Sequence, residues 1–502
     1  MTDGTMIHEL AMMGRRIVEQ LSYHPDEPLL FSSGLFLFLF LGFSFVYMLL
    51  QRTDTLRLLF VTLFSYYFYY KSSGFYFFLL AVVTLSDFAL SHLIYHAKRT
   101  VERRLLLGVS LAVDLGLLVY FKYTNFFCAT WADIVGANFQ PYDIFLPVGI
   151  SFFTFQSLSY TIDVYRGNMR PLHRLLDYAF FVSFFPQLVA GPIVRACDFV
   201  PQIRKPVVVT DLMFGRAVYL ICAGLLKKCV ISDYISLNFV DRVFDNPMLY
   251  SGIENLMGAY GYALQIYCDF SGYSDMAIGL ALLLGFRFPQ NFDSPYKSTS
   301  VTAFWKRWHI SLSTWIRDYI YISLGGNRKG RIRQYLNLFL TMLLGGLWHG
   351  ASANFIVWGG LHGAALVTHK FFSQQVLHHD RHYQSHGLRR LFAMLLTFHF
   401  VVFCWIFFRH TSFVASCDML MRIATDFQFE LLPQMVYGYR HVFALMFIGY
   451  LVHFLPVDIE RRLSHLFGRL GIVPCAFAVA MVIFVVIQVK SSTIQPFIYF
   501  QF

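Results

Sequence analysis

Phe31-Ser32-Ser33-Gly34-Leu35-Phe36-Leu37-Phe38-Leu39-Phe40-Leu41-Gly42-Phe43-Ser44-Phe45-Val46-Tyr47-Met48-Leu49-Leu50 contains no charged side chain. Wound as an α-helix, such a run is about 30 Å long, the thickness of a bilayer's hydrocarbon core. Runs of the same kind recur at roughly 56–71, 74–95, 105–121, 144–162, 176–194, 212–231, 256–285, 336–348, 352–369, 390–408, 440–455 and 471–489. They predict an all-α, polytopic integral membrane protein with about 10–13 membrane segments, some of them re-entrant. The run 256–285 is long enough for one long helix or a broken one.

Composition agrees. The chain has 502 residues, 57% apolar and only 14% charged, whereas soluble domains carry about 25% charged residues. Water could not be the main solvent of such a surface. The formal net charge is +11, yet the basic residues fall in short clusters between apolar runs, as positive-inside loops do. No nucleic-acid partner is expected, and membrane lipids are. The eight cysteines form no CxxC pair, so neither a disulfide framework nor a thiolate zinc site is indicated.

Loop charge sets the expected orientation. Lys98, Arg99, Arg103 and Arg104 face one acid, Glu102, in residues 96–104, which makes that loop cytoplasmic. Counting back three spans puts the N-terminus outside. Residues 1–30, with acids Asp3, Glu9, Glu19, Asp26 and Glu27 against Arg15 and Arg16, read as a polar extracytoplasmic segment and not as a cleavable leader. Residues 31–502 read as a single membrane domain, with a core at about 144–370 and C-terminal helices in 390–502.

Residues 286–335 are polar and aromatic between apolar blocks. Phe304, Trp308, Leu312, Trp315, Ile316 and Tyr319 recur at three and four residues, which predicts one amphipathic helix with Lys306, Ser313 and Arg317 opposite and His309 at the border, suited to a membrane interface.

Ionisable groups inside apolar segments are costly and point to function. His349 ends an apolar run between glycines, in Gly345-Gly346-Leu347-Trp348-His349-Gly350. His309 follows Phe304-Trp305-Lys306-Arg307-Trp308, and Asp269 and Asp275 lie in the run 256–285. A buried neutral histidine can take a proton from a hydroxyl near neutral pH. The plainer alternatives are a hydrogen-bonded core histidine and carboxylates paired with a basic group. Asp163 and Arg166 read as an interfacial ion pair, and Asp87 and Asp114 as lone acids in apolar spans. His378, His379, Asp380, His382 and His386 have helical metal-ligand spacing but read as a solvated loop, and no metal is expected. No HExxH, GxSxG or P-loop pattern occurs.

Five runs appear in order: Ser151-Phe152-Phe153-Thr154-Phe155-Gln156, Phe185-Pro186-Gln187-Leu188-Val189-Ala190-Gly191-Pro192-Ile193, Asn291-Phe292-Asp293-Ser294-Pro295-Tyr296, Phe304-Trp305-Lys306-Arg307-Trp308-His309-Ile310-Ser311 and Leu347-Trp348-His349-Gly350. Together they resemble the membrane-bound O-acyltransferase (MBOAT) family, in the branch of the bacterial alginate O-acetyltransferase membrane subunit. The resemblance implies a ring of tilted helices around a central tunnel, with His349 as catalytic histidine and His309 as the second functional one. Asp269, Asp275, Asn291, Lys306, Arg307 and Trp348 are the candidate substrate contacts, and Arg328, Lys329, Arg331 and Arg333 the candidate donor phosphate contacts at the cytoplasmic mouth, with ordinary positive-inside topology as the plainer reading of that cluster. The implied reaction moves an acyl group, acetyl by preference, from cytoplasmic acyl-CoA toward a secreted or cell-surface polysaccharide at the bacterial inner membrane. No bound cofactor is expected. An extracytoplasmic acyl-accepting or glycan-modifying protein is the expected partner, because a bulky glycan entering so apolar a bundle would lose water without replacement. D-alanyl transfer to teichoic acid from a carrier protein is one alternative reading, and a transporter or channel with buried histidines is another.

Overall fold

The computed structural model describes residues 3–25, 27–378, 386–489 and 497–498, and among them there is no β-strand. In chain order the first helices are α1 (Asp3–Leu21), α2 (Gly34–Leu49), α3 (Asp54–Ser73), α4 (Phe77–His96), α5 (Thr100–Val135), α6 (Ile150–Arg166), α7 (Leu175–Ser183), α8 (Phe185–Leu188) and α9 (Ala196–Ile203). They are followed by α10 (Asp211–Leu225), α11 (Asp233–Ile235), α12 (Asp241–Asp245), α13 (Gly252–Leu283), α14 (Val301–Trp305), α15 (Ile310–Ile316), α16 (Arg331–His349) and α17 (Ala353–Phe371). The last are α18 (Gly387–Arg409), α19 (Phe413–Thr425), α20 (Leu432–Gly438), α21 (Arg440–Phe454), α22 (Val457–Arg469) and α23 (Ile472–Val489). The chain forms two compact units. One comprises Met1–Phe121, Asp143–Gly191 and Arg195–Val207; the other comprises Lys122–Tyr142, Pro192–Val194 and Val208–Phe502.

Four stretches among the described residues are long and apolar enough to cross a membrane: Asp54–His96, Thr100–Val135, Gly387–Arg409 and Ile472–Val489. A fifth is possible if Phe429–Gly438 and Arg440–Phe454, bent by 95°, count as one span. Other runs that hydropathy marks as spans are shorter, broken or more polar. The run 176–194 breaks after Ser183, and α16 carries Arg331, Arg333, Gln334 and Asn337. The run 256–285 is one unbroken helix, α13, started by a capping box in which Ser251 and Glu254 satisfy each other's backbone N–H groups. Large apolar side chains stand exposed on several helices, among them Phe38, Phe45, Phe392 and Phe477. Such surface suits lipid rather than water.

In the first unit, one of the two acids that the sequence leaves without partners finds hydroxyls. Asp87 on α4 accepts a hydrogen bond from Ser110 Oγ at 2.7 Å and another from Ser157 Oγ, which also contacts the Tyr178 hydroxyl at 2.9 Å. In the second unit, α10 lies against α13 so closely that a Cβ on Gly224 would sit 2.5 Å from Gly272 O. Beyond α10 the chain continues in π-helical turns that carry Lys227 and Lys228.

Candidate active site

His349 is the last residue of α16 and is almost fully buried. Helices α16 and α17 form an antiparallel pair whose close approach depends on glycines. A Cβ on Gly346 would collide with Phe355 O, and one on Gly359 would lie 2.6 Å from Met342 O. The His349 ring packs in an aromatic frame, with centroids 5.0 Å from Trp348, 5.0 Å from Trp358 and 5.2 Å from Phe408. Trp348 also stands 6.1 Å from the His309 ring. One buried indole therefore touches both histidines that the sequence singles out.

His309 does not lie on a continuous amphipathic helix. α14 ends at Trp305, α15 begins at Ile310, and His309 between them has φ 43° and ψ 56°, the left-handed region that non-glycine residues rarely adopt. The break has a local cause. Segment 291–293 pairs with this turn: Ile310 N donates to Asn291 O and Asp293 N to Arg307 O, both at 2.9 Å. Phe304, Trp308, Leu312, Trp315, Ile316 and Tyr319 are all buried, so this apolar face packs inside the protein instead of lying at an interface.

Asn291 fixes the chemistry of the His309 ring. Its Oδ1 receives Ser311 N at 3.2 Å and Ser311 Oγ at 2.8 Å, and its Nδ2 donates to Ser274 Oγ at 3.1 Å. A backbone N–H can only donate, so the side-chain oxygen must face Ser311. His309 Nδ1, 3.2 Å from that same oxygen, must then carry the proton. Nε2 is left as the lone-pair nitrogen, able to accept a hydrogen bond but not to give one.

A cavity of about 250 Å³ leads to His349. Its wall includes Leu338, Thr341, Met342, Gly345 and His349 of α16, a stretch of about 16 Å at 1.5 Å per residue. Trp358 stands near the His349 end, while Lys370 lies twelve residues further along the antiparallel α17, with Arg317 and Tyr321 also in the wall. The passage is apolar for most of its length; Lys370 stands at the end away from the histidine, and Arg317 is paired with Asp318 at 2.6 Å.

The remaining sequence candidates fall in different places. Asp269 is buried and paired with Lys228; its second oxygen accepts Ile498 N at 2.9 Å. Asp275 pairs with Lys227 at 2.7 Å. Both carboxylates thus join α13 to the π-helical lysine turn. Lys306 is exposed and Arg307 half-buried. Arg328, Lys329, Arg331 and Arg333 are exposed around the start of α16, where Arg331 donates to Gln375 Oε1 at 2.7 Å. His378 and His386 are exposed; His379, Asp380 and His382 lie outside the described residues. Among the described residues no three His, Cys, Asp or Glu side chains assemble as metal ligands.

Three neighbours of His349 escape the sequence reading. Trp358 lies inside an apolar run and carries no charge that would mark it in the sequence. His362, fully buried, accepts Trp305 Nε1 at 3.2 Å and packs 4.8 Å from Trp358; its signal was a histidine between glycines in an apolar run, the same one that marks His349. Lys122 on α5 is a lone cation beyond the expected end of a span, and its Nζ donates to the carbonyls of Trp348 and His349, each at 2.8 Å.

An all-helical membrane protein with two histidines held around one buried tryptophan, one of them at the end of a narrow apolar passage, is the class these features define. Residues 168–404 match the sequence profile of MBOAT, the membrane-bound O-acyltransferase family. The chain is 42% identical over 390 residues to the probable alginate O-acetylase AlgI of Pseudomonas aeruginosa, covering 76% of this chain and 72% of that protein. It is 37% identical over 424 residues to the peptidoglycan O-acetyltransferase of Helicobacter pylori, covering 78% and 79%. It is 30% identical over 292 residues to the teichoic acid D-alanyltransferase of Bacillus subtilis, covering 54% and 71%. The chain belongs to the membrane-bound O-acyltransferase family and is an acyltransferase.

Proposed function

We propose that this enzyme moves an acetyl group from a cytoplasmic acetyl thioester, acetyl-CoA, through an extracytoplasmic partner to a secreted or cell-surface polysaccharide, with His349 as the general base. The passage that follows α16 to His349 carries this reading. It is narrow and apolar, as a pantetheine arm requires. Lys370 lines it away from His349, and Arg328, Lys329, Arg331 and Arg333 cluster at that end of α16, where the phosphates of CoA would be held. Relatives named for O-acetylation of alginate and peptidoglycan support acetyl as the group and a polysaccharide as its destination.

In the proposed step His349 removes the proton of an acceptor hydroxyl as its oxygen attacks the thioester carbonyl carbon. The tetrahedral intermediate collapses, the C–S bond breaks, and the thiolate leaves with the proton that the imidazole had taken. His309 does not line the donor cavity. With its proton on Nδ1 it accepts a hydrogen bond at Nε2, so it orients an acceptor hydroxyl and does not donate to the oxyanion. Lys306, Arg307 and Trp348 are then acceptor-side or framework groups.

The inner membrane is the proposed location, with the N-terminus outside and an extracytoplasmic protein taking over the acyl group. The test is reconstitution in proteoliposomes with labelled acetyl-CoA on one side and the glycan, with or without an outer partner, on the other. Label reaching the far side with wild type and not with His349→Ala supports the reading. Undiminished transfer by a folded His349→Ala protein overturns the role of His349, and glycan acetylation by this chain alone overturns the need for a partner.

A further inference from the structure

The last carbonyls of an α-helix have no partner within the helix and need one from outside. At the end of α16 the chain does not curl back to supply it, because Gly350 is extended, with φ −167° and ψ 160°. The donors come instead from α5, more than 220 residues away in sequence. Tyr123 Oη donates to Leu347 O, and Lys122 Nζ donates to Trp348 O and His349 O, each at 2.8 Å. Lys122 and Tyr123 belong to the same compact unit as α16. Three successive carbonyls of the turn that ends in His349 are therefore held by two adjacent side chains.

A lysine in an apolar helix is costly to keep. Here the ammonium meets two carbonyls at the negative end of a helix dipole, the place where a cation is most favourable. Neither contact involves the imidazole. What they restrain is the backbone from which it projects, facing Trp348 and Trp358.

We infer that Lys122, assisted by Tyr123, is a positioning residue for acyl transfer: it locks the last turn of α16 so that the His349 ring stays aligned with the donor passage. The inference rests on the reading of His349 as the base. A displacement of about 1 Å at such a group costs on the order of 100-fold in rate, whereas donor binding depends on the remaining cavity wall, which Lys122 does not line.

The test compares wild type, Lys122→Met, Tyr123→Phe and His349→Ala, each purified and checked for monodispersity and melting temperature, with acetyl-CoA as donor. Lys122→Met should lower kcat about 100-fold while the KM for acetyl-CoA changes by less than about threefold. Tyr123→Phe, which removes one hydroxyl, should lower kcat by about 3- to 10-fold in the same pattern. Wild-type kcat in a folded Lys122→Met protein, or a loss expressed in KM alone, overturns the inference. If Lys122→Met does not fold, Tyr123→Phe decides: reduced kcat at constant KM upholds the inference and unchanged kcat overturns it. Activity retained by His349→Ala is a separate result, which refutes the reading of the base and not the hold on α16.

Discussion

Truncating Asn291 to alanine separates the positioning of His309 from its mere presence. Asn291 Oδ1 serves three donors: His309 Nδ1, Ser311 N and Ser311 Oγ. After truncation the Ser311 hydroxyl can turn elsewhere, and His309 Nδ1 still has Ser311 Oγ at 3.5 Å. The backbone N–H of Ser311 is the group with no substitute named by this geometry, and a buried orphaned donor costs about 1–3 kcal/mol. The small cavity adds to that, for a total of roughly 2–4 kcal/mol. In a chain of this size the loss should lower the melting temperature by only a few degrees. The catalytic effect should be larger in proportion. Without the Oδ1 acceptor the ring is free to move its proton to Nε2, and its left-handed backbone loses a brace, so acyl transfer should fall about 100-fold, equivalent to about 2.7 kcal/mol. The assay is steady-state transfer from acetyl-CoA alongside a thermal melt of the same preparation. A folded Asn291→Ala protein with wild-type turnover would refute the claim that this amide dictates the state of His309.

Gly346→Ala should destabilise severely, because its methyl would strike Phe355 O where α16 meets α17; yield and melting temperature of the purified protein check this, and a wild-type melt would contradict the packing described. Lys370→Glu reverses a charge in the wall of the donor passage and should raise the KM for acetyl-CoA by roughly 5- to 30-fold, or about 1–2 kcal/mol, with kcat little changed; an unaltered KM would remove Lys370 from donor binding. A cysteine at exposed Arg16 on α1 should react with an impermeant maleimide in intact spheroplasts, in a background lacking the exposed Cys197 and Cys417; labelling only after lysis would reverse the proposed orientation.

Much of this protein was legible in one dimension because lipid imposes a one-dimensional rule. A segment such as 390–408 must carry an unbroken apolar run to satisfy its backbone inside a bilayer, and α18 matches it closely at Gly387–Arg409. The two histidines stood out for the same reason, since an ionisable group in such a setting is conspicuous. The apolar spacing from Phe304 to Tyr319 misled about local geometry, because a period of three and four residues records which side chains are buried and cannot register one residue of left-handed backbone. That turn at His309 exists because Asn291 and Asp293, distant by more than a dozen residues, hydrogen-bond across it. The partners of Asp269 and Asp275 likewise depended on α10 and its lysine turn packing against α13. The sequence by itself determined an all-helical membrane enzyme and singled out two histidines, which the fold brings to the same tryptophan. Only tertiary structure decided the tautomer of His309, the cavity along α16 and the hold of Lys122 on His349, because each is a contact between segments whose separation along the chain leaves no periodic trace.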